Sequence, residues 1–437
     1  MSRNALEPFH IHLSLSGHTH RKKQSNKRTH SKDMSISHKT TFPCQIPLVF
    51  VSYFQQYRTQ KCDVQEAGNW EAQMTPEQLG FNSQKLDRAR RVLQHHVHTR
   101  TTPGAVGLVL RRAGIVTCWA VGHHTYQPNA TPVQINTLYD LASVTKVIAT
   151  TTLCMLFTDE DRLNLDAPVQ YYVPSFTGKN KNRVTVRHLL AHCSGLPAHV
   201  HLYENQSTTH DIDIRDAMLN AACQHPLIYE PGTDTVYSDL GFLTLGKILE
   251  TIGGHRLDHL VKQHIFEPLK MNDTLYCPPP HLKHRIAPTE DGSDLRDHLV
   301  HGEVHDENTA AMGGIASHAG LFSTAHDLSK CLLAWLGTGI FPKQSIPQFT
   351  TRANIASNST WALGWDTVSP GASSSGRYFS DKSFGILGFT GTSVWGDPIR
   401  DLGVILLTNR VHPTRENIQI AHLRPEFHDA ISEALIE

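Results

Sequence analysis

The chain has 437 residues, of which 39% are hydrophobic and 18% charged, a composition typical of soluble globular chains and long enough for a large core. Forty basic residues balance forty acidic ones, so no overall field argues for nucleic acid or an anionic membrane as partner. The eight cysteines include no Cys-x-x-Cys pair, which excludes the usual zinc and dithiol signatures.

Residues 1–40 carry eight Lys/Arg against Glu7 and Asp33, with few large apolar side chains. Such a segment buries too little apolar surface to offset its ordering entropy. Residues 1–70 therefore read as a disordered basic arm, and 71–437 as the folded domain. The apolar run Ile46–Phe54 is too short to span a bilayer and is interrupted by Pro47. It lacks the position and cleavage pattern of a signal peptide, so the compartment stays open.

The folded part is expected to begin near Met74. Asn82 or Ser83 can cap a helix from Gln84 to about Val97, with Leu86, Ala89, Leu93 and Val97 at helical spacing. Ala105–Leu110 and Ile115–Val121 are β-rich runs joined by Arg111-Arg112-Ala113-Gly114, which predicts a hairpin. Residues 140 to 335 are mostly helical in pattern, broken by long loops such as that at Cys277-Pro278-Pro279-Pro280. Strands return at Ser393–Trp395 and Gly403–Thr408, and a last helix is expected after Pro425, with Phe427, Ala430, Ile431 and Leu435 on one face. The predicted class is α+β: an antiparallel sheet drawn from both ends of the chain, flanked by helices, plus a mostly helical lobe.

Three segments carry chemistry. Leu141-Ala142-Ser143-Val144-Thr145-Lys146 precedes a helix-like stretch, Val147–Phe157, and puts Ser143 at its start. Exposed amides and the positive dipole end there suit a developing oxyanion. Lys146 falls one turn on, on the same face. A serine hydroxyl needs a nearby base, and a lysine can serve if its surroundings lower its pKa. Taken alone, the pattern is also that of a helix cap with a surface lysine. Tyr237-Ser238-Asp239 precedes an apolar helix, Leu240–Leu249. Its tyrosine can shuttle protons, and Asp239 can hold Lys146, orient a substrate amide or simply cap the helix. Phe384-Gly385-Ile386-Leu387-Gly388-Phe389-Thr390-Gly391-Thr392 has the glycines that let backbone approach closely along a strand.

These segments, in order, together with Pro103–Val106, Thr185–Pro197, Pro231-Gly232, Val304–Asn308, His318–Thr324 and Leu406–Pro413, resemble the serine β-lactamase and penicillin-binding-protein-like family. That family includes class C β-lactamases, D-alanyl-D-alanine carboxypeptidases and related esterases. The resemblance runs from about Pro103 to the C-terminus. It implies a serine hydrolase working through an acyl-enzyme on an ester, amide or β-lactam carbonyl. Ser143 would be the nucleophile, Lys146 its proton partner, and Tyr237 the second general acid or base. The backbone N–H groups of Ser143 and Phe389 would form the oxyanion hole. Asp239, which stands where the family more often has Asn, would contact substrate together with Gly388, Asp306 and Asn308, although Asp306 and Asn308 also suit loop stapling. No cofactor is implied. A metal is not expected either: His199-Val200-His201, His305 and His318 do not make the clustered pattern that zinc hydrolysis needs. The partner would be a small-molecule or peptide substrate, with no nucleic acid and no transmembrane segment, and the oligomeric state is open. Relatives act mostly in the periplasm or outside the cell.

The third segment departs from the family. Where relatives have Lys or His and then Thr or Ser before the glycine, this chain has Ile386 and Leu387 before Gly388. The shifted register Phe389-Thr390-Gly391 recovers Thr-Gly without a cation. Binding of a substrate carboxylate, as in a β-lactam or a peptide C-terminus, is weakened relative to a neutral ester or amide. The alternative is a catalytically weak or inactive penicillin-recognition-like binding protein on the same scaffold.

Overall fold

Apolar residues alternate along the first predicted strand with a period of two, and each set meets a different layer. In the computed structural model, which describes residues 74–205, 213–293 and 296–436, this is β1 (Gly104–Arg111). Val106, Leu108 and Leu110 join the main core, and Ala105 and Val109 join a second core on the other face. The expected hairpin closes β1 onto β2 (Gly114–Gly122). Its two central residues, Arg112 and Ala113, have positive φ (51° and 62°), the twist that a tight hairpin turn needs. The expected basic arm, the run Ile46–Phe54, His10, His12, Cys44 and Cys62 lie outside the described residues.

The other elements of the sheets are β3 (Tyr139–Asp140), β4 (Leu275–Tyr276), β5 (Asp291–Ser293), β6 (Arg296–Leu299), β7 (Leu321–Ser323), β8 (Asp366–Thr367), β9 (Phe384–Leu387), β10 (Ser393–Asp397) and β11 (Leu402–Thr408). The main sheet has the order β2-β1-β11-β10-β9-β8, and its described pairings are antiparallel. It thus joins both ends of the domain, as the sequence predicts. β1 and β11 are central and buried on both faces, which suits their near-continuous Val/Leu/Ile content.

One face is covered by α1 (Ser83–His98), capped by Asn82, and by the C-terminal helix α6 (Ile420–Ser432). Gly107 makes this packing close: a Cβ there would lie 2.6 Å from the Phe427 ring and 2.9 Å from Leu93. The last helix does not wait for Pro425, which lies inside it, and Leu435 falls beyond its end in a bridge to Phe81. Pro425 lies past the first turn of that helix, so its missing N–H removes one bond of the helical ladder. The opposite face packs on the helical part of the chain, including α2 (Thr152–Asp159), α3 (Asp239–Gly253) and α5 (Ala325–Trp335). Two small sheets, β3-β7-β4 and β5-β6, lie outside the main one. Among the described residues the six cysteines are free, no helix is long and apolar enough to cross a membrane, and no three His, Cys, Asp or Glu side chains cluster as metal ligands.

Candidate active site

The segment carrying Ser143 is clamped before it turns. β3 pairs with β7, and Leu141 N–H continues the ladder to Leu321 O at 2.9 Å. The buried Asp140 carboxylate accepts from Ala142 N–H (2.8 Å) and, with its other oxygen, from His305 N–H (2.7 Å). Ala142, the residue before the serine, is thereby held at φ 46°, a left-handed conformation that a non-glycine residue adopts only when its surroundings impose it. The chain then passes through a 3₁₀ turn, Ala142–Val144, and a wide π turn, Lys146–Thr151, before α2 begins. The sequence predicts one regular helix here. Thr152 widens it by returning both its N–H and its hydroxyl (2.7 Å) to Val147 O.

Lys146 is fully buried and meets three acceptors: Asp239 Oδ1 at 2.7 Å, Ser143 Oγ at 3.0 Å and His318 O at 3.1 Å. Three acceptors match the three donors of an ammonium. Burial pushes the Lys146 pKa down, but the charges of Asp239 and Tyr237 more than reverse this, so it lies above the ordinary lysine value. Asp239 shows the mirror effect. Burial raises it, Lys146 and His199 outweigh that, and the carboxyl is held well below the usual range.

Asp239 is not the helix cap. Ser238 caps α3 by accepting from Gly241 N–H at 3.1 Å, which leaves the Asp239 carboxylate for Lys146 and, at 3.1 Å, His199 Nδ1. The expectation that Asp239 holds Lys146 agrees with this geometry, and both its oxygens are engaged. Tyr237 Oη is buried with no hydrogen-bond partner among the described residues, and Lys146 Nζ stands 4.8 Å from the ring centroid. Burial raises the phenol and the Lys146 charge opposes it, with a net upward shift. His192 orients this corner: its Nδ1 accepts from Ser238 N–H at 3.0 Å, and its ring packs 4.6 Å from Tyr237 and 4.4 Å from Trp361. Burial, with Lys146 acting the same way, lowers His192 to about 3, so it is neutral.

The third segment reaches the nucleophile through its turn. After β9, Thr390 and Thr392 donate their hydroxyls to Asp140 O (2.7 Å) and Leu141 O (2.9 Å). Gly388 makes the approach feasible: a Cβ there would lie 2.0 Å from Thr392 Oγ1 and 2.5 Å from Leu141 O. The N–H groups of Ser143 and Phe389 have no hydrogen-bond partner among the described residues. Gly388→Ala is expected to push the turn off the Ser143 segment and to destabilise the fold by about 1–3 kcal/mol, which a denaturant midpoint will check.

One sequence expectation needs correction. Asn308 does not reach the cleft: it is fully buried, accepts from Leu202 N–H and donates to Val200 O, both at 2.9 Å, and so staples the 200–202 loop. Thr390 is 1% exposed with its hydroxyl used, so the shifted register offers substrate no hydroxyl. Ile386 is 1% exposed and belongs to the main core, so the family's cation position is filled here by packing. Asp306 caps the helix α4 (Glu307–Ala311) by accepting from Thr309 N–H (2.7 Å) and pairs with His318 Nε2 (3.0 Å), with a fifth of its side chain exposed. No spacing rule in the sequence ties His199 or the His318 carbonyl to Ser143, and none ties Arg424 to it, whose Nη2 donates to Gly388 O and Thr392 O.

The profile of the Beta-lactamase family matches residues 89–427, well over half of the chain. The chain belongs to the beta-lactamase family. Within the family it is similar to the Salmonella typhimurium protein named "Putative D-alanyl-D-alanine carboxypeptidase", with 31% identity over 79% of this chain and 87% of the relative. Two solved structures align along almost their whole length. EstCE1, a hydrolase with promiscuous acyltransferase activity, superimposes with a TM-score of 0.66 at 20% identity, covering 80% of this chain and 99% of its own. A class C beta lactamase from Rhodobacter sphaeroides gives 0.61 at 23%, covering 79% and 99%. The chain is thus a serine hydrolase of the beta-lactamase family, with the expected α+β fold.

Proposed function

We propose that Ser143 is the nucleophile of a two-step acyl-transfer hydrolase whose preferred substrate is a neutral ester or amide. The observation that carries this is the 3.0 Å contact of Lys146 Nζ with Ser143 Oγ inside a buried, fully partnered charge pair. The Ser143 oxygen attacks the substrate carbonyl carbon, and its proton leaves through Lys146 and Tyr237. Lys146 is an ammonium in the resting site and Tyr237 a phenol held above its ordinary value, so one of the two sheds a proton before it takes that of Ser143. The tetrahedral oxyanion is received by the N–H groups of Ser143 and Phe389. Its collapse expels the alcohol or amine, which takes the proton back. Water then repeats the sequence on the acyl-serine.

The buried Ile386 supports the neutral substrate, since no side-chain cation stands on this strand to pair with a carboxylate. Asp306, partly exposed beside the site, adds a negative charge that disfavours one. Intact-mass analysis after exposure to short-chain esters, D-alanyl peptides and penicillins tests the reading. An acyl adduct from the esters on wild type, absent in Ser143→Ala, is the expected result. Absence of any adduct from every acylating probe would sink the enzyme reading in favour of a binding protein.

A further inference from the structure

The turn that follows β9 rests on two buried arginines. Arg424 of α6 is 7% exposed and sends Nη2 to Gly388 O and Thr392 O, both at 2.9 Å. Arg410, also 7% exposed, sends Nε to Phe389 O at 2.8 Å, and its guanidinium lies 4.5 Å from the centre of the Phe389 ring. Arg410 has Glu290 and Glu416 in its surroundings. Among the described residues no carboxylate pairs with Arg424: its neighbouring charge is Arg410, and its Nε is buried without a partner. Burial first, and Arg410 second, lower it to about 9, so it keeps its charge at neutral pH.

An unpaired buried charge is strongly unfavourable, and stapling two carbonyls does not require one. A neutral amide at the same place would do it. The position of the charge points to another use. In a trans peptide the C=O and N–H are fixed in one plane and point in opposite directions. The Gly388 carbonyl and the Phe389 N–H belong to the same peptide unit. With the carbonyl held on Arg424, the Phe389 N–H faces away from the arginine, and a positive charge at the carbonyl end polarises the unit toward a stronger donor at the other.

We propose that Arg424 is a positioning residue for acyl transfer, whose buried charge polarises the Gly388–Phe389 peptide and strengthens the Phe389 N–H as an oxyanion donor. This rests on the reading of Ser143 as nucleophile and Phe389 N–H as its oxyanion partner. It gives the fold a cation at the third segment by a different route. Relatives present one from the strand, where it can touch substrate, whereas Arg424 comes from the C-terminal helix and acts through the backbone. A cation in that position stabilises negative charge on a reacting carbonyl oxygen without favouring a substrate that carries its own carboxylate.

The experiment compares Arg424→Gln, which keeps hydrogen-bond donors and removes the charge, with Arg424→Lys, which keeps the charge. Neutral p-nitrophenyl esters supply kcat and KM. An alkyl boronic acid, which forms a tetrahedral anion on a nucleophilic serine, reports oxyanion stabilisation. Fluorophosphonate labelling, located by peptide mass, reports the nucleophile. In Arg424→Gln kcat is expected to fall about 10–100-fold with KM within threefold, less than or comparable to the loss of a whole oxyanion donor. Boronate inhibition should weaken by the same factor, and Arg424→Lys should recover most of both. Equal kcat in Arg424→Gln and wild type, or equal loss in the Gln and Lys variants, overturns the proposal while Ser143 labelling stays normal. Failure of wild type to label at Ser143 overturns the nucleophile reading and this one with it. If Arg424→Gln does not fold, Arg424→Lys carries the test: kcat within threefold of wild type supports a role for charge, and a tenfold loss with parallel boronate weakening rejects it.

Discussion

Ser143→Ala, Lys146→Ala and the double variant should each lose nearly the same factor in kcat, about 10⁴-fold. Ser143 and Lys146 share one contact and, in the proposed mechanism, one proton transfer, so removing either disables the unit, and removing the second finds little left to lose. The residual rate is what two backbone donors and substrate binding supply on their own. Additive losses would mean that the two side chains act in separate steps. The two single variants differ in stability. Ser143 contributes one hydroxyl, whereas Lys146→Ala leaves Asp239 with only His199 and strips His318 O of its donor. Breaking a buried pair in this way costs about 3–5 kcal/mol. A thermal midpoint that falls in Lys146→Ala and holds in Ser143→Ala is therefore part of the expected result, and kcat has to be read on the folded fraction.

Much of this unit is legible in the chain before any coordinates. The helix-then-hairpin start and the late apolar strands follow from period and turn chemistry, and the sheet does combine both ends of the domain. Ser143, Lys146, Tyr237 and Asp239 are adjacent to punctuation that sequence displays: a helix start, a glycine-containing turn, a cap. What escapes is set by long-range packing. His318 lies 172 residues from Lys146 and serves it through a backbone carbonyl, a group every residue has. Asn308 fits a cleft residue by type and neighbourhood, yet the 200–202 loop takes both ends of its amide. Arg424 reads as one polar residue on an amphipathic helix, and only the approach of the 388–392 turn gives it a role. The π turn at Lys146–Thr151 is likewise invisible to helical periodicity, because it depends on which carbonyl Thr152 selects.

Asp239→Asn restores the residue the family more often has, and it should make the enzyme more active near neutral pH while making it less stable. The sign follows from the field. The Asp239 carboxylate raises the pKa of Lys146 and also that of Tyr237. Whichever of the two takes the Ser143 proton must first be in its basic form, so kcat/KM rises with pH through that group's pKa. Removing the negative charge leaves burial as the main influence on Lys146, which lowers it, and spares Tyr237 a repulsion that raised it. Either way the rising limb moves toward lower pH, by about 1–3 units for a charge at this distance. Folding responds in the opposite sense. The depressed Asp239 pKa contributes stability that is fully present above the unfolded carboxylate value and is lost as pH falls through the folded one. In the Asp239→Asn variant that acid-labile contribution is absent at all pH, so its thermal midpoint should lie below wild type at pH 7 and converge toward it in acid. A limb that stays in place or moves upward would mean that neither Lys146 nor Tyr237 is the base. Convergence of the two midpoints without a shift in the limb would leave Asp239 a structural partner of Lys146 alone.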